Sequence, residues 1–294
     1  MNDPLDAEIA AALDQFGFRA RAWQRISTIR AAETGRSVFR IDLEAGGMLK
    51  ARRFEDTATA RALFELRQAV PPGFAPALHC RDAVLLEAWI DGEALGRPTP
   101  ARLAEAGALL ARLHATPSSR GHPLPAPRST RGEREAAEHA LASLAAEHRL
   151  SRAETDRIGA ALARLDPKSA LAGVVHTDFC GENMIVDREG RLTVIDNERM
   201  GVGALGLDVA RTWYRWMLPP AGWECFRASY AATMAHDDAL RHFTFWAVVA
   251  TLKSAALFSR LDPARAYAPV ESLRKAIALE QETVHDGHRE GPCG

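Results

Sequence analysis

Lysine is scarce in this chain of 294 residues: of 37 lysines and arginines, the lysines stand only at Lys50, Lys168, Lys253 and Lys275. Cysteine is as sparse, and Cys80, Cys180, Cys225 and Cys293 fall at none of the spacings of a disulfide framework or zinc site. That pattern suits a reducing, cytoplasmic setting. Net charge is close to zero, −1 with a pI near 6.8, so no basic field points to nucleic acid and no basic helix to a membrane surface. Long apolar runs are missing as well. The most apolar window, Phe243 to Phe258, is interrupted by Thr244, Thr251, Lys253 and Ser254 and is too short to span a bilayer, so it reads as a buried helix. The acidic start, with Asp3, Asp6 and Glu8, lacks the charged-then-apolar order of a signal peptide. No internal repeat is evident. What is present, 47% hydrophobic and 26% charged residues, describes an ordinary soluble globular protein long enough for a sizeable core and two lobes.

The richest stretch runs from Val174 to Met200. Met184-Ile185-Val186 and Leu192-Thr193-Val194-Ile195 flank the turn Asp187-Arg188-Glu189-Gly190, which is a β-hairpin in sequence. His176, Asp178 and Asn183 precede it and Asp196 follows it. A carboxylate that orients a hydroxyl, with an amide oxygen and a second carboxylate able to hold Mg²⁺, is the set that phosphoryl transfer requires. Polar residues of this kind also cap turns; four of them on one strand-turn-strand unit favour the catalytic reading.

The spacing H-x-D-x-x-x-x-N with an I-D after the second strand resembles the aminoglycoside phosphotransferase and choline kinase family, which has a protein-kinase-like fold. The resemblance covers about residues 28 to 211 and is specific around His176 to Asp196. It implies an α+β, two-lobed fold: a small N-terminal antiparallel sheet with a helix over residues 1–91, binding nucleotide, and a larger, mainly helical lobe over residues 92–294, carrying catalysis and substrate. It implies ATP as co-substrate, with GTP left open, Mg²⁺ as cofactor and a small-molecule hydroxyl as acceptor. Asp178 becomes the catalytic base, Asn183 and Asp196 the metal ligands, and His176 a structural residue holding the loop by a ring N–H, with a general-base role as the sharper alternative. Asp208 would brace the catalytic loop through backbone hydrogen bonds, although an Asp early in a helix also simply favours the dipole. Two departures stand out. Glu198 follows Asp196 closely and is either a second carboxylate near the metal or a salt-bridge partner, and the loop 31–37, where phosphates would lie, is poor in glycine.

The segments before the hairpin fit the small lobe. Leu5 to Phe16 has the apolar spacing of a helix ending at Gly17; Arg25 to Ala31, Ser37 to Leu43 and Met48 to Phe54 are strand-like, with a turn at Glu44-Ala45-Gly46-Gly47. Lys50, a rare compact ammonium ahead of Arg52 and Arg53, matches the lysine that the family places against the α- and β-phosphates. Ser37 lies beside the expected phosphate loop. The helix expected over residues 55–69 would supply Glu65 to position Lys50, a solvated surface role being its alternative. Strands follow over residues 75–80 and 83–90, and Glu87 and Trp89 fall where the family's hinge meets adenine through backbone groups.

Beyond Gly92 the pattern turns helical: Ala101 to His114, a helical hairpin of Glu133 to His148 and Ser151 to Leu165 with a capping box at Ser151 and Glu154, then helices near Asp208, over 223–234, 238–257 and 268–282. A Pro-rich loop over 116–130 and the tail after 284 interrupt or end the lobe. Cys180 is a small filler or a reactive thiol. For the acceptor, Trp89, Trp213, Trp216, Trp223 and Trp246 suggest an aromatic cage for a quaternary ammonium, whereas Glu224, Asp237 and Asp238 suit a polycationic aminoglycoside. A catalytically weak nucleotide-binding regulatory module of the same fold is the competing function, and a protein kinase proper is disfavoured because Asp196 to Asp208 leaves no room for an activation segment.

Overall fold

The computed structural model describes residues 5–26, 36–117, 128–234, 238–262 and 266–286. Asp6, accepting from the Glu8 amide, caps helix α1 (Ala7–Gln15), whose Ile9, Ala12 and Leu13 are buried. A five-stranded antiparallel sheet follows, made of β1 (Ala20–Arg25), β2 (Ser37–Leu43), β3 (Met48–Arg53), β4 (Ala77–Arg81) and β5 (Val84–Ala88) in the order β1-β2-β3-β5-β4. The turn between β2 and β3 places Gly46 and Gly47 at φ of 86° and 83°, the left-handed region that glycine enters without a Cβ penalty. The first strand lies earlier than its sequence suggests. Only Arg25 and Ile26 of the expected stretch 25–31 fall within the described residues, and Ala20–Arg25 forms a largely exposed edge strand whose few apolar side chains give little β signal.

Because side chains alternate across a strand, the pairing register sorts the sheet into two faces. Phe39, Ile41, Leu49, Ala51, Val84 and Leu86 pack under α1. The other face carries Lys50 opposite Glu87 and Ala77 opposite Glu87, and is covered by helix α2 (Thr57–Gln68), whose Leu63 and Leu66 join Phe54 and Leu85 in a second core. This face looks toward the rest of the molecule.

The chain leaves α2 through residues 73–75, which zip onto the catalytic hairpin. Ala75 donates to Val194 O at 2.8 Å and Val194 to Gly73 O at 2.8 Å, so the small sheet and the hairpin are stitched together backbone to backbone. At Gly92 the chain crosses the hairpin so closely that a Cβ would meet Val186 O at 2.3 Å. The two-residue strand β6 (Glu93–Ala94) then pairs with β8 (Met184–Val186), which pairs with β9 (Leu192–Val194).

Helices build the remainder: α3 (Pro100–His114), α4 (Thr130–Ala146), α5 (Arg152–Leu165), α6 (Leu205–Trp216), α7 (Pro220–Thr233), α8 (Asp238–Arg241), α9 (Phe243–Leu261) and α10 (Tyr267–Asp286). The stretch expected as one helix over 238–257 is interrupted at His242. Residues 118–127 of the expected loop, and the tail from 287, lie outside the described residues. Among the described residues no helix is long and apolar enough to cross a membrane.

The capping box at α5 is formed. Ser151 N donates to Glu154 Oε2 at 2.8 Å, Glu154 N donates to Ser151 Oγ at 3.3 Å, and Arg274 Nε of α10 reaches Glu154 at 2.8 Å. Those bonds hold the Glu154 carboxyl down at about 2. Ser151→Ala is therefore expected to cost about 1 kcal/mol in urea denaturation at neutral pH. A depressed carboxylate pKa stabilises above its unfolded value, so Glu154's share fades as pH falls from about 4.5 toward 2. Urea midpoints measured through that window check both the size and the sign.

Candidate active site

Strand β7 (Ala172–Val175) pairs with β10 (Gly201–Ala204). Everything between them, the β8–β9 hairpin included, is thus pinched at its base, and the two ends of the motif lie side by side. Two non-glycine residues sit in the left-handed region at that base: Thr177 at φ 69° and Asp196 at φ 60°. For a β-branched threonine this is uncommon and needs support from its surroundings. Asp208, 2% exposed in the first turn of α6, supplies it by accepting from His176 N at 2.8 Å and Thr177 N at 2.7 Å. Thr177 Oγ1 adds a bond to Arg199 O at 3.2 Å. Asp208 is itself held by His114 Nε2 at 3.1 Å, and His114 Nδ1 meets Tyr230 OH at 2.7 Å. Burial would raise the Asp208 carboxyl, but the His114 hydrogen bond and charge, with His176, hold it below the usual range.

His176 is fully buried, and burial pushes its pKa down so that the ring stays neutral. Asp178 N donates to Nδ1 at 3.3 Å, which leaves the proton on Nε2 to donate to Asn197 Oδ1 at 3.0 Å. With both ring nitrogens engaged and no solvent access, the geometry leaves the ring no free nitrogen with which to take a substrate proton.

Asp178 and Asn183 face each other: Asn183 Nδ2 donates to Asp178 O at 2.8 Å and to its Oδ2 at 3.3 Å, while the Asn183 carbonyl accepts from Ile195 N at 2.8 Å. Asp178, Asn183 and the residue before Asp196 are therefore one connected unit. Asp178 Oδ1 accepts from Arg215 Nε at 2.9 Å. Arg215, from the last turn of α6 and 37 residues along the chain, is absent from the sequence motif.

At the other end, Asp196 Oδ1 receives Lys50 Nζ at 3.0 Å and Arg52 Nη2 at 2.9 Å. Arg52 also reaches Glu198 at 3.2 Å and lies 3.7 Å from Glu87. Burial alone would raise Asp196; its hydrogen bond with Glu198 and the charges of Lys50 and Arg52 outweigh that and hold its carboxyl well below the usual range. Glu198 moves the opposite way. Burial lifts it to about 8 against the pull of Arg52, and the hydrogen bond and negative charge of Asp196 add to the rise. Glu198 is thus a partner of Arg52, which it shares with Asp196.

Two expected placements change. Glu65 does not approach Lys50: it is exposed and pairs with Arg61 one turn back at 2.9 Å. The carboxylate that meets Lys50 is Asp196, and the cross-strand partner of Lys50 on β5, Glu87, is engaged by α2 with a cation, Arg67, through a fully buried pair. The Glu87 side chain is thus spent inside the lobe, and its backbone is paired with both β3 and β4. Ser37 pairs in register with Arg53, on the face opposite Lys50, and its hydroxyl donates to Asp6 at 3.2 Å. Residues 31–35 of the expected phosphate loop lie outside the described residues. Trp89 ends the sheet with the Arg40 guanidinium 5.3 Å from its ring centroid.

The aromatic cage is not assembled. Trp246 is 1% exposed in the helical core, Trp223 stacks on Phe226 at 5.4 Å, and Trp213 and Trp216 meet Phe243 and Phe226 edge-on. Glu224 pairs with Arg227 on the surface, and Asp237 and the side chain of Asp238 lie outside the described residues. Cys180 is buried, and burial pushes its thiol up, which makes it an inert filler.

The donors fit magnesium. Asn183 spends its NH₂ group on Asp178 and keeps Oδ1 without a hydrogen bond among the described residues, and Asp196 takes both cations on one oxygen. One amide oxygen and one carboxylate are what Mg²⁺ asks of a protein when phosphates and water complete the octahedron. No cluster of three or more His, Cys, Asp or Glu able to form an all-protein cage occurs among the described residues.

No curated protein matches the chain. Solved structures do, at low identity. A macrolide 2′-phosphotransferase from Brachybacterium faecium is 18% identical, with 91% of this chain and 98% of that one covered and a TM-score of 0.64. A spectinomycin phosphotransferase, solved with ADP and spectinomycin, is 14% identical over 95% and 100% of the two chains at 0.67. A choline kinase from Streptococcus pneumoniae is 12% identical over 92% and 96% at 0.65. These likenesses establish the two-lobed, kinase-like α+β fold. The model of the phosphotransferase enzyme family matches residues 11–243, most of the chain and the whole of the site just described, and this protein belongs to that family.

Proposed function

We propose that this phosphotransferase moves the γ-phosphate of ATP to a hydroxyl of a small molecule, with Mg²⁺ bound at Asn183 and Asp196. The observation that carries the reading is the 3.0 Å contact between Lys50 and Asp196, 146 residues apart, on the same hairpin that holds Asp178 against Asn183. Residues 1–91 form the nucleotide lobe in this reading and residues 92–294 the catalytic and acceptor lobe. That the spectinomycin enzyme was solved with ADP favours an adenine nucleotide.

The acceptor oxygen attacks the γ-phosphorus, the bond from that phosphorus to the β–γ bridging oxygen breaks, ADP leaves with the electron pair, and the hydroxyl proton passes to Asp178. Since the transition state is loose, Asp178 acts chiefly by holding the hydroxyl in line. Lys50 presents its ammonium to the α- and β-phosphates, and the backbone that follows β5, at Trp89, offers the adenine its hydrogen bonds. Asn183 and Asp196 would hold magnesium, whose charge would offset that developing on the phosphates. Asp208 and His176 act at one remove, fixing the backbone that aims Asp178.

Purified protein with ATP and Mg²⁺ is expected to release ADP when supplied with some member of a panel of hydroxylated metabolites and antibiotics. ATP·Mg at about 100 times its Kd should also add roughly 2.7 kcal/mol of stability in a thermal shift. Stabilisation by ATP with no turnover across the panel would instead make the chain a nucleotide-binding module.

A further inference from the structure

Beside Asp178, on the side away from the small sheet, lies a cavity of about 690 Å³, a size that suits a sugar or larger metabolite. Among the described residues, none of its lining comes from before 128. Its floor is the catalytic loop at Thr177 and Asp178, and its walls come from α4, α6 and α9.

The walls are cationic. Arg128, Arg199, Arg211, Arg215, Lys253 and Arg260 all line it, and among the described residues Asp178 is the only carboxylate that does. An adjoining recess of about 410 Å³ shares Arg128, Arg199, Arg211 and Lys253 and adds two acids, Glu133 and Asp208. Both acids are already committed: Glu133 to Lys253, and Asp208 to His114 and the loop backbone. Arg215 is committed to Asp178. Arg199 and Arg211 form no ion pair with any described residue. Arg211 is half-buried and stands one helical turn from Arg215, a like-charge spacing that destabilises a helix unless an anion lies between or near the pair. Lys253 is pushed down by burial, against Glu133, with Arg211 and Arg128 adding to the depression, so these cations crowd one space. A chain with net charge −1 has gathered six of its cations around its acceptor cavity.

We infer that the acceptor is an anionic alcohol, a small molecule whose carboxylate or phosphate is gripped by Arg199 and Arg211 while its hydroxyl faces Asp178. This rests on the reading of Asp178 as the base and deepens it. Guanidinium groups match both anions in a planar, two-pronged fashion. A cationic aminoglycoside or choline would meet repulsion at every wall except Asp178, which explains why no aromatic cage or acidic surround is built here.

The test uses one sugar framework with four charges: glucose, glucosamine, glucuronate and glucose 6-phosphate, each titrated calorimetrically into the full chain and into Asp178→Asn. The expected result is that glucuronate or glucose 6-phosphate binds at least about 10-fold more tightly than glucose, a modest fraction of what charge-assisted bonds supply. Glucosamine should bind no better than glucose, and which acid wins separates a carboxylate ligand from a phosphate one. Arg199→Ala combined with Arg211→Ala should abolish the preference and leave the Kd for ATP within about 2-fold, the scale of indirect effects. Equal affinity for all four sugars, undetectable affinity included, overturns the inference, as does tighter binding of glucosamine or a preference that survives the double substitution. Anion preference retained in both proteins without ATP-dependent transfer to any hydroxyl would count against the phosphotransfer reading alone.

Discussion

Asp178→Asn is expected to lower the rate of phosphoryl transfer about 10²- to 10⁴-fold, while ATP binding and the fold persist. The side chain is 25% exposed and takes Arg215 on one oxygen and Asn183 on the other. Asparagine keeps the volume and one acceptor for those donors, so the loop has little reason to move, yet an amide cannot accept the hydroxyl proton. A 10²-fold loss is about 2.7 kcal/mol of barrier, more than a weakened surface hydrogen bond explains. The readout is a fall in kcat with the KM for ATP nearly unchanged, since the nucleotide contacts proposed for Lys50 and Asp196 do not use the Asp178 carboxylate. Activity within a few-fold of the native chain would demote Asp178 to a turn residue. No adjacent base stands ready to replace it: His176 has both ring nitrogens occupied.

Local signals made much of this legible beforehand. Met184-Ile185-Val186 and Leu192-Thr193-Val194 around a Gly-containing turn announce their hairpin within a dozen residues. Ser151 and Glu154 announce their helix start, and Lys50 announces itself by rarity. What depends on register or on distant partners was silent. Ser37 points away from the cleft because it pairs with Arg53 and not with Lys50, and pairing register is absent from a single strand's sequence. Glu65 has a suitable place on its helix, but the residue that faces the sheet is Arg67; either satisfies the helix pattern, and only the buried Glu87 on β5 decides between them. Arg52 differs from Arg53 by one position, yet pleat parity sends Arg52 inward to Asp196 and Glu198 and Arg53 outward to Asp6 and Glu8. Arg199, Arg211 and Arg215 are lost among many arginines, and the sequence does not say that the tryptophans pack on phenylalanines such as Phe226 and Phe243.

The fold should prove least tolerant at Glu87. Glu87→Ala is expected to destabilise the protein by about 3–5 kcal/mol, a large part of the 5–15 kcal/mol typical of a domain. The carboxylate is 3% exposed and sits between Arg67 and Arg52, whose side chains are 2% and 7% exposed. Burial would raise its pKa, but the charges of Arg67, Lys50 and Arg52 outweigh this and hold it below the usual range. Removing it strands the Arg67 guanidinium in the interior with only the Ala75 carbonyl to receive it. Arg52 keeps Asp196 and Glu198, so the damage concentrates at the junction of α2 with β5. That junction matters for chemistry because Ala75 also bonds β9 two residues before Asp196, and a loosened Arg67 should raise the KM for ATP along with the loss in urea midpoint. Replacing the pair together, Arg67→Met with Glu87→Leu, removes both charges and should recover most of the stability. A Glu87→Ala midpoint shift worth under about 1 kcal/mol, or a double variant no better than the single, would mean that the buried pair does not hold the helix to the sheet.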